Sequence, residues 1–168
     1  MNTYWGAPSQ WGRLRSPAVL NRYYIIVVEE DEVLYEKIVR ALGKLGCDHD
    51  IRRVSTREEL DDELFRLAPD FVICDHARSN WNSFAILRQV RDFQATMPFA
   101  VIGGAEAGVE EVLLGSGADA CLNHDRLGEL APTVEEMLKR RAAQRNLSVG
   151  EIRRWIPRWM GGLRAEVG

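Results

Sequence analysis

The stretch Ile25-Ile-Val-Val-Glu-Glu-Asp31, followed further along by Phe71-Val-Ile-Cys-Asp75, decides the fold. Each is a short run of apolar, strand-forming residues that ends in carboxylate. Unbroken Ile and Val suit a strand covered on both faces, as in parallel sheets. A carboxylate cannot stay inside such a strand, so Glu30, Asp31 and Asp75 are expected just past the strand ends. In an open α/β sheet that position is the carboxyl edge, where ligands bind. Carboxylates gathered in one crevice repel each other, and their hard oxygens suit a divalent cation, with Mg²⁺ the natural choice.

Strands and helices alternate outward from these two runs. The first strand is predicted at about Tyr23–Val28 and a helix at about Glu32–Leu45, with Leu34, Ile38, Ala41, Leu42 and Leu45 on one stripe and Gly46 as its stop. A partly polar strand at about Asp50–Val54 suits a sheet edge. Ser55-Thr-Arg-Glu58 then reads as a capping box for a helix ending near Leu67, before Pro69. The third strand, Phe71–Cys74, leads through a polar loop to a helix at about Phe84–Phe93. A fourth strand, Phe99–Ile102, stops at Gly103-Gly104, and a short helix covers about Ala107–Leu114. The fifth strand, Ala120–Asn123, precedes a helix that starts at about Leu127 or Pro132 and runs to Arg141. Right-handed crossovers make this an α/β, flavodoxin-like doubly wound sheet of five parallel strands in the order 2-1-3-4-5.

This order of elements, with its strand-end carboxylates, resembles the receiver domain of two-component response regulators, the CheY-like family, over roughly Arg22 to Arg141. The resemblance implies an acidic pair after the first strand that holds Mg²⁺ and an Asp after the third that accepts a phosphoryl group. By position Glu30 and Asp31 are the pair, Asp75 the phosphoacceptor and a metal ligand, and the backbone carbonyl of Ala77 a further ligand. A histidine kinase or phosphotransfer protein is the implied donor, and a downstream protein the implied recipient of the signal. The chain also departs from the family pattern. Gly103 stands where the family has Ser or Thr. His124 stands where it has Lys, with Asn123 as the alternative one residue earlier. Cys121 replaces the aromatic of the fifth strand, and Ser79 the usual Pro after the acceptor. A neutral imidazole substitutes poorly for an ammonium against phosphate. Each charge-assisted bond lost to the acyl phosphate is worth about 1.5–3 kcal/mol. The implied function is thus a signal-transduction receiver whose switch is incomplete. The alternative is a phospho-independent pseudo-receiver, a scaffold for protein contact.

Bulk properties fit one domain with extensions: 168 residues, 46% hydrophobic, 28% charged and a net charge of −3. The division expected is an N-terminal extension over 1–21, the receiver over 22–143 and an extension rich in Trp and Arg over 144–168. The charge gives no reason to expect nucleic-acid binding. No apolar run approaches the roughly 20 residues of a membrane span, and the N-terminus has no signal-peptide pattern. Cys47, Cys74 and Cys121 do not pair off, which suits free thiols in a reducing cytoplasm, Cys74 as a core residue. His76 and His49 read as solvated loop residues. No Gly-Lys-Ser/Thr follows Gly103-Gly104, so a nucleotide loop is not supported, and no acid/base or cofactor constellation marks an enzyme. Ser148-Val-Gly-Glu151 is a second capping-box pattern. Trp155, Ile156, Trp159 and Leu163 follow it at helical spacing, interrupted by Pro157. This tail is expected to pack on its own domain or across a homodimer, ahead of a separate partner or a lipid surface.

Overall fold

The structure, a computed structural model, describes residues 22–76, 81–104 and 108–155, with backbone alone for 144–155. Five parallel strands alternate with five helices in the sheet order β2-β1-β3-β4-β5. The strands are β1 Tyr23–Val28, β2 His49–Val54, β3 Phe71–Asp75, β4 Phe99–Ile102 and β5 Ala120–Leu122. The helices are α1 Glu32–Leu42, α2 Arg57–Leu67, α3 Ser83–Phe93, α4 Val109–Gly115 and α5 Leu130–Trp155, with a 3₁₀ turn, His124–Glu129, leading into α5. The flavodoxin-like order read from the sequence is the one observed.

Strands β1, β3 and β4 form the spine. Ile25 to Val28, Phe71 to Cys74 and Phe99 to Ile102 are all inaccessible to solvent. Alternate residues feed two cores, one on each face of the sheet. Ile25, Val27, Phe71 and Ile73 pack with Ile38 and Leu42 of α1 and Leu130, Val134 and Leu138 of α5. Ile26, Val28, Val72 and Cys74 pack with Leu60 and Leu64 of α2, Ile86 and Val90 of α3 and Leu113 of α4. Covering both faces accounts for the unbroken Ile and Val in the sequence.

Helix ends differ from expectation where several residues could serve as caps. α1 stops at Leu42 with Gly43 as its C-cap, although Leu45 is still buried beyond it. The capping box of α2 is Thr56–Glu59, one residue later than Ser55–Glu58. The Glu59 carboxylate collects the N–H groups of both Ser55 (2.7 Å) and Thr56 (3.3 Å). At the far end Ala68, at φ 46°, closes α2 before Pro69. Pro132 lies in the first turn of α5, where a missing N–H breaks no intrahelical bond. The backbone of α5 is helical straight through Ser148–Glu151, so that capping pattern starts no helix. The expectations for residues 1–21 and for Ile156 to Leu163 lie outside the described residues. No described helix is long and apolar enough to cross a membrane.

Arg141 pins the middle of α5. Its guanidinium is buried and donates to the carbonyl oxygens of Asp70 (2.5 Å) and Pro69 (3.3 Å) and to Gln94 Oε1 (2.9 Å). One side chain thus joins α5 to the turn before β3 and to the end of α3. Five fixed donors suit this role better than a point charge. We expect Arg141→Ala to lower the unfolding free energy by about 2–3 kcal/mol, because buried carbonyls lose a charged partner. Arg141→Lys should recover only part of that. The urea midpoint measures both, and an unchanged midpoint in Arg141→Ala would contradict this account.

Candidate functional site

The carboxyl edge of the sheet gathers the residues that carry chemistry. β1 and β3 pair in parallel with Ile25 opposite Phe71 and Val28 opposite Cys74. One residue further, Glu29 and Asp75 leave the two strands side by side. Both are almost fully buried, Glu29 at 2% and Asp75 at 5% exposure. Sequence reasoning passed over Glu29. The available signal was its position directly after Val28, since the first polar side chain after a buried strand is the one nearest the neighbouring strand end.

The acids beyond Glu29 behave differently. Asp31 is the N-cap of α1, exposed, and its Oδ1 accepts from Leu34 N at 2.7 Å. Its own N–H donates to Glu29 Oε1 at 2.7 Å. Glu30 is exposed, and its carbonyl accepts from Arg53 Nη2 at 2.8 Å. Arg53 Nε also donates to the Glu29 carbonyl at 3.0 Å, and its guanidinium lies 4.8 Å over the Tyr35 ring. Arg53, on the partly polar edge strand β2, therefore holds the loop that presents these acids. Glu30 and Asp31 thus follow β1, and Asp75 closes β3. Among the described residues no three His, Cys, Asp or Glu side chains form a metal-binding group. Asp31 Oδ1 is engaged by the helix N-terminus, whose free N–H groups attract a carboxylate. Ala77 lies outside the described residues.

Asp75 has a different partner. Its Oδ1 lies 2.8 Å from Nε2 of His124, the first residue of the 3₁₀ turn after β5. Asn123, the alternative by one residue, is the N-cap of that turn. Gly103 makes the contact possible. It adopts φ +89°, and a Cβ there would sit 3.1 Å from both Asp75 Oδ1 and His124 Cε1. The missing hydroxyl at 103 and the imidazole at 124 are therefore two sides of one arrangement. His76 is more than a solvated loop residue: its Nδ1 lies 2.8 Å from the hydroxyl of buried Ser83, and its ring meets Phe84 edge-on. His49 lies 2.8 Å from the Cys47 carbonyl.

Cys121 sits on β5, where its Sγ is 3.4 Å from the Gly103 carbonyl. Burial pushes its thiol pKa up, and the charge of Glu110 adds to the shift. Cys74 is wholly buried, while Cys121 is only partly so.

Against known proteins, no protein-family model and no curated protein matches the chain. Solved structures do match. A response regulator receiver domain protein from Clostridium thermocellum superposes with a TM-score of 0.64 at 17% identity, covering 73% of this chain and 98% of that one. The receiver domain of Francisella response regulator 1452 gives 0.61 at 18%, covering 70% and 98%. NtrX from Brucella abortus gives 0.63 at 20%, covering 76% of this chain and 30% of the longer protein. At such identities the likeness is one of fold. The chain has the receiver fold.

Two outcomes follow from the edge geometry. Gly103→Ala should destabilise the domain by about 1–3 kcal/mol, combining a left-handed backbone with a crowded Cβ. It should also displace the His124 ring, visible as a shift of its imidazole signals by NMR. A variant of unchanged stability with unmoved His124 signals would overturn this. The raised Cys121 pKa keeps the thiol protonated at neutral pH. Its contribution to stability is present below the unfolded thiol's pKa of about 8.5 and is lost as pH rises through the folded value. Alkylation of Cys121, read by mass spectrometry, should lag behind free cysteine at pH 7 and accelerate at higher pH than free cysteine does.

Proposed function

We propose that this chain is a receiver-type signalling module that acts by protein contact, with Asp75 governed by His124 rather than by phosphorylation. One observation carries this reading: the space left by Gly103 is filled by an imidazole whose Nε2 is bonded to Asp75 Oδ1 at 2.8 Å. The donor that meets Asp75 is supplied within the fold, and it ties β3 to the turn after β5 without any modification. A fixed link of that kind suits a constitutive scaffold. The Asp31 carboxylate, whose Oδ1 caps α1, adds support. The reading assigns no turnover of a small substrate.

A second reading, phosphoryl acceptance by Asp75, is favoured by a different observation. Asp75 is a buried carboxylate at a strand end with Glu29 emerging on the neighbouring strand. On that reading a histidine kinase or phosphotransfer protein supplies the phosphoryl group. Glu30, Asp31 and the Ala77 carbonyl remain the candidate Mg²⁺ ligands, and bound Mg²⁺ would neutralise charge on the phosphoryl oxygens. A nucleophilic Asp75 would first have to release His124.

Incubation with acetyl phosphate and Mg²⁺, followed by phosphate-affinity electrophoresis, separates the two. The expected result is one unshifted band for both the native chain and Asp75→Ala. A shifted band that Asp75→Ala abolishes would replace the first reading with the second.

A further inference from the structure

The helices α2 and α3 leave an aromatic surface open on the face of the sheet away from α1 and α5. They border a groove of about 830 Å³ lined by Phe65, Phe84 and Phe93 among the charged residues of both helices. Phe65 is 79% exposed and stands edge-on to Phe93, with ring centroids 5.4 Å apart. The core does not use Phe65, since Leu60 and Leu64 are the buried residues of α2. A lone exposed apolar residue needs no explanation, but rings clustered along a groove mark a docking surface.

The character of the groove narrows the occupant. Its charges are matched among themselves. Gln89 Nε2 donates to the Arg57 carbonyl (3.2 Å) and to Asp61 Oδ1 (2.5 Å), Arg57 Nε donates to Gln89 Oε1 (3.3 Å), and Arg88 pairs with Asp92 at 4.0 Å. What remains unmatched is aromatic surface. Phe65 lies near the end of α2, and Phe93 is the last residue of α3. Both therefore lie toward the amino edge of the sheet, where β1 begins. The hydrogen bonds Asp70 N to Tyr24 O (2.8 Å) and Tyr24 N to Asp70 Oδ2 (3.1 Å) bring the end of the α2–β3 connection against that entry point.

We propose that the chain's own N-terminal arm, residues 1–21, occupies this groove, with Trp5 and Trp11 packing against Phe65 and Phe93. The arm joins the domain at Arg22, at the edge where these rings lie. It carries two Trp and a Tyr with no acidic residue. The 11 residues from Trp11 to Arg22 span up to about 36 Å when extended, against about 16 Å for the whole of α2. Tethering supplies an effective concentration on the order of millimolar, so modest aromatic contact is enough for occupancy. The C-terminal Trp residues are worse placed. Trp155 closes α5, which packs on the opposite face and runs about 21 Å beyond Arg141.

The test uses the full chain with a photoreactive benzoyl-phenylalanine at position 65 and, as control, at exposed Val33 on α1. Irradiation and tryptic mapping should give a cross-link within one chain to the peptide ending at Arg13, from position 65 only. The double variant Trp5→Ala/Trp11→Ala should remove most of it. Cross-links to residues 156–168 or to a second copy, or none above the Val33 control, would overturn the proposal. As an independent measurement, Phe65→Ala, which leaves the core untouched, should shift the indole N–H signals of Trp5 and Trp11. If they do not move, the arm does not lie in the groove.

Discussion

The registered pairing of β1 with β3 is the constraint on which the rest depends. Val28 stands opposite Cys74, and both strands are sealed on both faces. Each buried aliphatic side chain along them contributes about 1.5–3 kcal/mol, and a slip of one residue would draw Glu29 or Asp75 into that interior. Asp70 sets the register at the other end by bonding Tyr24 through both its backbone and its carboxylate. Because the register holds, the first polar groups after each strand emerge together at one edge. Arg53, His124 and Gly103 are all arranged around that emergence.

Gly103 and His124 stand in the sequence as unconnected substitutions, one removing a hydroxyl and one exchanging an ammonium for an imidazole. In space they form one contact with Asp75. A Cβ at 103 would crowd both the Asp75 carboxylate and the imidazole ring at 3.1 Å, and a backbone at φ +89° would strain any residue that carries one. Asp75 is therefore satisfied from across the sheet, through β4, by the turn that follows β5.

Much of the fold was legible because burial on both faces leaves a distinctive pattern. Runs such as Ile25–Val28 and Phe99–Ile102 permit few other readings, and the alternation with amphipathic helices leads directly to the sheet order. Helix ends were harder. Ser55–Glu58 and Thr56–Glu59 satisfy the same capping pattern, and only the seating of Leu60 and Leu64 in the core separates them. The site was half legible. The strand ends that carry Asp75 and His124 could be read from the sequence, but the contact between the two side chains could not. Asp31 has two readings in the sequence, because a carboxylate just ahead of a helix can serve as cap, as ligand or as both; in the structure its Oδ1 caps α1. Glu29 was overlooked because a charge flush with a buried strand looks unfavourable until its neighbours are known. Arg53 was invisible in the same way, since it reaches the site from a different strand.

The sheet also has two open margins, β2 and β5, each with one side of its backbone unpaired within the sheet. Such margins invite strand addition from other chains, which is the first step toward ordered aggregates. Here they are blunted by different means. β5 has only three residues, too few for a partner strand to gain much by pairing. β2 is longer but charged along its length, with Asp50, Arg52 and Arg53 in a six-residue strand, and Arg22 closes over its start through Asp50 at 2.6 Å. The polar composition that marked β2 as an edge strand in the sequence thus also makes it a guard against uncontrolled self-association.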